Sequence, residues 1–203
     1  MNIIAGVSRR IDRYLFRPFR ALMALFRRTH VSRWKKVATQ IPSWDSRNKV
    51  IATLVPTGVS VLDIGAGAQT LRTHLKGLSL YTPCDLFPTT PDTLICDFNR
   101  GILPQVTRRH DFAICSGVLE YVRQPMPFLE FVRENSKAVI LTYNVRLPGA
   151  SITDRLANDW INHFTPEELT ALLRENGFDI EKEVRSNAAI PSERVFVLAP
   201  RGR

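Results

Sequence analysis

The chain has 203 residues, 44% of them apolar and 23% charged, enough for one α/β domain with an extension and too few for two enzymatic domains. That composition excludes global disorder, and the longest uninterrupted apolar run, 21–26, falls far short of the roughly 18 residues a membrane-spanning helix needs. The formal charge of +9 is lopsided: residues 1–36 carry ten Arg and Lys against the single acid Asp12, while the other 167 residues balance at 18 and 18.

The basic arm comes first. Ile11, Leu15, Phe19, Leu22, Met23 and Phe26 recur in steps of three and four, with Arg13, Arg17, Arg20 and Arg27 about half a turn away. The spacing predicts a basic amphipathic helix interrupted at Pro18. Two uses fit this pattern equally: an in-plane anchor on an anionic membrane surface through residues 9–36, or a helix that docks on its own domain or on a partner. Residues 1–42 are therefore read as an extension and 43–203 as the catalytic-size body.

Beyond Pro42, short apolar strands alternate with helical segments, which predicts a doubly wound, mostly parallel α/β sheet. Seven strands are expected, near 60–64, 79–84, 93–96, 111–115, 138–143, 178–184 and 194–198. Helices are expected over 69–76, 126–135 and 166–176. The last is bounded most sharply, by Thr165 as N-cap, Pro166 in the first position, Glu168 completing a capping box and Gly177 as the stop. The loop 186–193 is too short for a helical crossover, so the final two strands should form an antiparallel hairpin. Cys84, Cys96 and Cys115 have no CxxC pairing and read as buried thiols of a reducing compartment. The expected location is cytoplasmic, with the arm able to rest on the inner membrane face.

VLDIGAGAQTL, residues 61–71, is a buried strand entering a glycine turn. Gly65 and Gly67 let the backbone turn tightly and approach a ligand. Asp63 precedes the first of them by two residues; its carboxylate would repel a pyrophosphate and attract an amino group. Thr70 stands where an NAD-type loop has its third glycine, which lowers the dinucleotide reading. Asp85 ends the second strand, where an acid can accept from both ribose hydroxyls, and Asp97 with Phe98 follows the third, placed for an adenine. Each acid alone reads equally well as a cap or turn residue, but three at one sheet edge point to a ligand at the carboxyl ends of the strands.

These motifs resemble the class I S-adenosylmethionine-dependent methyltransferases over residues 46–203. VLDIGAG is similar to the family's first motif, CDL at 84–86 to its second-strand end, CDF at 96–98 to its adenine-side motif, and DFAICSGVLEYV at 111–122 to its fourth-strand motif. The resemblance implies a Rossmann-like fold with S-adenosylmethionine as cofactor. Gly65, Gly67 and Ala68 would face the methionine end, Asp85 with Leu86 the ribose, Asp97 and Phe98 the adenine, and Ser116 the rim beside the sulfonium. One departure stands out. Only seven residues separate Asp85 from Thr93, where the family has a crossover helix, so a bare loop and a more open adenine side are expected.

The acceptor is expected to be a small or lipid-linked molecule with an oxygen or nitrogen nucleophile, positioned in line rather than heavily activated. The fourth strand ends Cys115-Ser116-Gly117-Val118, without the Asn/Asp-Pro-Pro-aromatic set of nucleic-acid amino-methyltransferases, and the body carries no net charge; both disfavour nucleic acid. His163 is the expected general base, with Tyr143 and Glu120 as further candidates beside the acceptor. The histidines His30, His74 and His110 have no clustered partners in sequence, and no metal is expected. A non-catalytic, cofactor-binding or membrane-recruited module is the alternative from another class, and an NAD-dependent oxidoreductase the enzymatic competitor.

Overall fold

Residues 60–64, SVLDI, form an interior strand of the sheet and are buried along their whole length, as a strand flanked on both edges and covered on both faces must be. The computed structural model describes residues 16–26, 29–37, 44–187 and 189–202. The parts of the arm reading that rest on Ile11, Leu15, Arg13 and Arg27, and the boundary at 42, lie outside them.

The strands are β1 (Ser60–Ile64), β2 (Leu80–Asp85), β3 (Leu94–Ile95), β4 (His110–Ser116), β5 (Ser136–Asn144), β6 (Phe178–Arg185) and β7 (Glu193–Pro200). They form one sheet in the order β3-β2-β1-β4-β5-β7-β6. The first five are parallel, and β7 runs antiparallel to both β5 and β6, closing the expected hairpin. Strand order reverses between β1 and β4, which opens a crevice at their carboxyl ends.

The helices are α1 (Arg17–Phe26), α2 (Val31–Val37), α3 (Asp45–Thr53), α4 (Pro125–Asn135), α5 (Ile152–Ala157) and α6 (Pro166–Glu175). Alternation along β1 feeds two cores. Leu62 and Ile64 pack on one side with Phe128, Leu129 and Val132 of α4 and Leu169 and Leu173 of α6. Val61 packs on the other with Ile51 of α3 and Leu71. Helix α6 begins as its sequence dictates: Glu168 N donates to Thr165 Oγ1 at 3.2 Å, and Thr165 N donates to Glu168 Oε2 at 2.8 Å. Among the described residues no helix is long and apolar enough to cross a membrane.

One connection departs from expectation. The helix expected over 69–76 is only a single 3-10 turn, Thr70–Thr73. Gln69 enters it in a left-handed conformation, φ 56°, and the Thr73 hydroxyl donates to Thr70 O; local hydroxyl bonds of this kind compete with a regular helix. Gln69 has another task. Its amide Nε2 donates to the hydroxyls of Thr90 at 2.6 Å and of Thr89 and Thr93 at 3.3 Å, and Thr89 Oγ1 donates to Gly67 O at 2.8 Å. The bare β2–β3 loop is thus laced to the glycine turn by threonines, without a crossover helix.

Candidate functional site

A cavity of about 400 Å³ opens at the carboxyl ends of β1, β2 and β4. The acids expected there are on its lining. Asp85 anchors the glycine turn: its Oδ2 accepts from Gly67 N and its Oδ1 from Leu86 N, both at 2.7 Å. Burial raises its pKa, and the backbone donors of Gly67, Leu86 and Phe87 oppose that rise. Asp63 is buried on β1 and accepts from the Tyr81 hydroxyl at 2.5 Å. Burial pushes its pKa up to about 7, with the Asp85 charge adding to the rise and the Tyr81 bond and Arg47 opposing it. Gly65 and Gly67 both have positive φ, 77° and 51°. A Cβ on Gly65 would stand 2.5 Å from Val118 Cγ2, whereas one on Gly67 would meet nothing within 4 Å. The first glycine admits Val118 and the second keeps open space over the turn.

Asp97 caps the short turn Phe98–Arg100 by accepting from Asn99 N, and the same Oδ1 accepts from Thr29 Oγ1 at 2.9 Å. Phe98 stands edge-on to Phe128 and Phe131. The arm thus reaches the side of the cavity next to the short loop through Thr29. Ala68, Leu86, Phe98, Ser116 and Glu120 complete the expected set on the lining.

The other two catalytic candidates fall elsewhere. Tyr143 is fully buried, and its hydroxyl accepts from Phe164 N at 3.2 Å and from Arg155 at 3.5 Å. His163 Nδ1 accepts from Arg155 Nε at 3.2 Å. Neither lines the cavity. Side chains alternate along a strand, so Asn144, one residue beyond Tyr143, faces the cavity instead.

Several lining residues carry no local sequence signal. Arg47 on α3 is buried and pairs with Glu193 of β7 at 3.0 Å, which also accepts from the Ser186 hydroxyl. The arm contributes Ala24, Thr29, His30 and Trp34, so that with Trp44 and Trp160 all three tryptophans of the chain line the cavity. His30, unclustered in sequence, is paired in space: its Nδ1 lies 2.8 Å from Asp159 Oδ2, which also accepts from Arg33 at 2.6 Å. Asp159 reaches that position from a left-handed backbone, φ 62°, a conformation uncommon for a residue with a Cβ. Trp34 meets Tyr121 edge-on at 4.5 Å, and Trp160 Nε1 donates to the Tyr121 hydroxyl at 2.9 Å.

Three buried polar atoms on this lining have no hydrogen-bond partner among the described residues: Arg47 Nε, Ser116 Oγ and Glu120 Oε2. Buried groups of this kind cost stability unless a ligand or solvent satisfies them. Strand-end carboxylates, a glycine turn kept clear of side chains and unsatisfied donors and acceptors suit a polar, positively charged nucleoside bearing an amino acid. A family model described as a methyltransferase domain matches residues 32–183, three quarters of the chain. The chain belongs to the methyltransferase-domain family. Its cofactor is S-adenosylmethionine.

Solved structures agree on the fold. A chain of the Haloferax volcanii complex between the Trm112 methyltransferase activator and a methyltransferase is 14% identical, with a TM-score of 0.64 over 78% of this chain and 90% of that one. Magnesium protoporphyrin IX methyltransferase from Synechocystis, solved with S-adenosylhomocysteine bound, is 15% identical, with a TM-score of 0.59 over 85% and 94%. The 1,6-didemethyltoxoflavin N1-methyltransferase of Burkholderia thailandensis is 16% identical, with a TM-score of 0.57 over 79% of each chain. No curated protein sequence matches the chain. Among the described residues of this methyltransferase, no group of three or more His, Cys, Asp or Glu is arranged to hold a metal.

Proposed function

We propose that this methyltransferase acts on a hydroxyl or amino group of a small-molecule or lipid-linked acceptor. The observation that carries the reading is the convergence of Asp63, Asp85 and Asp97 from three successive strand ends on one cavity that also holds unsatisfied polar atoms. Bound, the cofactor supplies a methyl group on a sulfonium, an already activated leaving group. The chain's task is to hold the two reactants in line and keep water out.

On this reading Asp63, Gly65, Gly67 and Ala68 hold the amino-acid end, with the Arg47 Nε offered to its carboxylate. Asp85 and Leu86 hold the ribose, Asp97 and Phe98 the adenine, and Ser116 forms the rim at the reacting end. Trp34, Trp44, Tyr121 and Trp160 give the acceptor an apolar wall. Glu120 is buried, which raises its pKa; its Oε1 accepts from Asn144 N at 2.8 Å, leaving Oε2 to accept from the acceptor. His30 is the better-placed proton acceptor than His163. It lines the cavity, and Asp159, 2.8 Å from its Nδ1, orients the ring there.

Calorimetry with S-adenosylmethionine, S-adenosylhomocysteine and NADH tests the assignment, and the three lining tryptophans provide an independent fluorescence readout. One S-adenosylhomocysteine per chain and no NADH is the expected result. Binding of NADH alone, or of none of the three, overturns it.

A further inference from the structure

The sequence left two uses for the amphipathic arm, and the structure gives each its own face of the same helix. Helix α1 lies along α5 with Ala21 and Ala24 buried. Arg17 pairs with Asp154 of α5 at 2.7 Å, and Arg123 Nη2 donates to the carbonyls of Ala24 and Leu25 at 2.7 and 3.2 Å. Docking thus uses a narrow alanine stripe and polar contacts at both ends. At about 100° per residue, Phe19, Leu22 and Phe26 fall roughly opposite that stripe, flanked by Phe16 and Leu25. These five large apolar side chains are each between 52% and 76% exposed. The helix has been docked by its small residues, and its large apolar face looks outward.

Charge identifies what covers that face. The segment 1–36 carries ten cationic side chains against one acid, on a body whose charges balance, and Lys35 and Lys36 are exposed on the last turn of α2. Two such arms would repel each other, which disfavours a second copy. An apolar stripe of Phe and Leu on a helix of basic surroundings fits the interface of an anionic bilayer, where acyl chains take the apolar face and headgroup phosphates the cations. We propose that the outer face of α1, through Phe16, Phe19, Leu22, Leu25 and Phe26, docks in plane on an anionic phospholipid surface.

The position of α1 gives this docking a consequence. Ala24, Thr29, His30 and Trp34, on or just after the same helix, line the cavity. A membrane seated on the outer face of α1 therefore lies one helix diameter, roughly 10 Å, from the cavity wall, which brings an acceptor carried in the bilayer close to the cavity. That consequence rests on the methyltransferase reading; the docking does not.

The test is flotation of the full chain with vesicles of phosphatidylcholine alone and with phosphatidylglycerol added, for the wild type and for the triple variant Phe19→Ser, Leu22→Ser, Phe26→Ser. The wild type is expected to float with the anionic vesicles and at least about tenfold less with neutral ones, and the variant to lose at least about tenfold of its anionic binding. S-adenosylhomocysteine affinity should stay within about twofold in the variant, showing that the cavity is intact. Equal flotation of variant and wild type overturns the proposal, as does equal binding to both lipids or no binding by the wild type. A wild-type dimer in light scattering that the triple variant abolishes, without vesicle binding, assigns the face to a second copy and overturns it too. Failure of the wild type to bind S-adenosylhomocysteine would sink the functional reading alone, because flotation is read without cofactor.

Discussion

The cavity has a floor and a roof, and they are built by different means. The floor, at the ends of β1, β2 and β4, is held by backbone: Asp85 fixes Gly67 N and Leu86 N at 2.7 Å, and β1 is hydrogen-bonded on both edges. The roof is held by side chains from distant segments, with His30 and Arg33 on Asp159, Thr29 on Asp97, and Trp34 on Tyr121. Groups anchored to the backbone cannot move without disturbing the sheet, whereas the roof's partly buried contacts join side chains of separate segments and can part without breaking a strand. On the proposed function this difference is a division of labour: the backbone-anchored half would recognise the cofactor and the half held by side chains would admit an acceptor.

The largest effect should come outside both halves, at the buried charge pair on the cavity lining that ties α3 to β7. Arg47→Ala leaves Glu193 buried with only Ser186 as a partner, and breaking such a pair costs about 3–5 kcal/mol. A fall in unfolding free energy of that size is expected by denaturant titration, and Arg47→Met combined with Glu193→Leu should recover most of it. If Arg47→Ala unfolds like the wild type, the pair does not tie α3 to β7.

Next is a split between floor and roof. Asp85→Ala removes the acceptor of two backbone donors, bonds that contribute about 1.5–3 kcal/mol each when one partner is charged. S-adenosylhomocysteine affinity should fall about 100-fold or more by calorimetry. His30→Ala should leave that affinity within about twofold and lower kcat about 100-fold with an acceptor that carries a proton to lose. Asp159→Asn should leave cofactor affinity within about twofold and lower kcat less than His30→Ala does. Cofactor affinity that tracks His30 and ignores Asp85 would reverse the division.

The floor was legible in the sequence because its signals are local. A buried strand, a glycine pair two residues after an acid and a capping box are each written within a few residues, and β1, the turn at Gly65–Gly67 and α6 follow them closely. The helix expected over 69–76 was not, because Gln69 serves the neighbouring threonine loop rather than the helix start. The roof was hardly legible. His30 and His163 look alike as loop histidines; which one faces the cavity is decided by contacts with Asp159 and Arg155, and the Asp159 contact spans 129 positions. Tyr143 and Asn144 are separated only by strand alternation, which the sequence constrains to a residue but not to a face when both neighbours are buried.

The smallest predicted effect tests the floor's electrostatics directly. In the unliganded protein burial holds Asp63 near a pKa of about 7, so near neutral pH about half the chains carry it protonated. To hold an ammonium group it must be ionised, so binding expels a proton from the protonated fraction. The sign follows: affinity for S-adenosylhomocysteine should fall by up to about tenfold per pH unit below about 7 and level off above it. The proton release should appear as binding heats that differ between buffers of different ionisation enthalpy. The same shift acts on folding with the opposite outcome, since the unfolded carboxyl ionises first: the stability attributable to Asp63 falls as pH rises from about 4 to about 7 and is level beyond. Asp63→Asn should flatten both profiles. An affinity that is flat from acid to neutral pH in the wild type would show that Asp63 does not change protonation on binding and takes no part in holding the cofactor's charge.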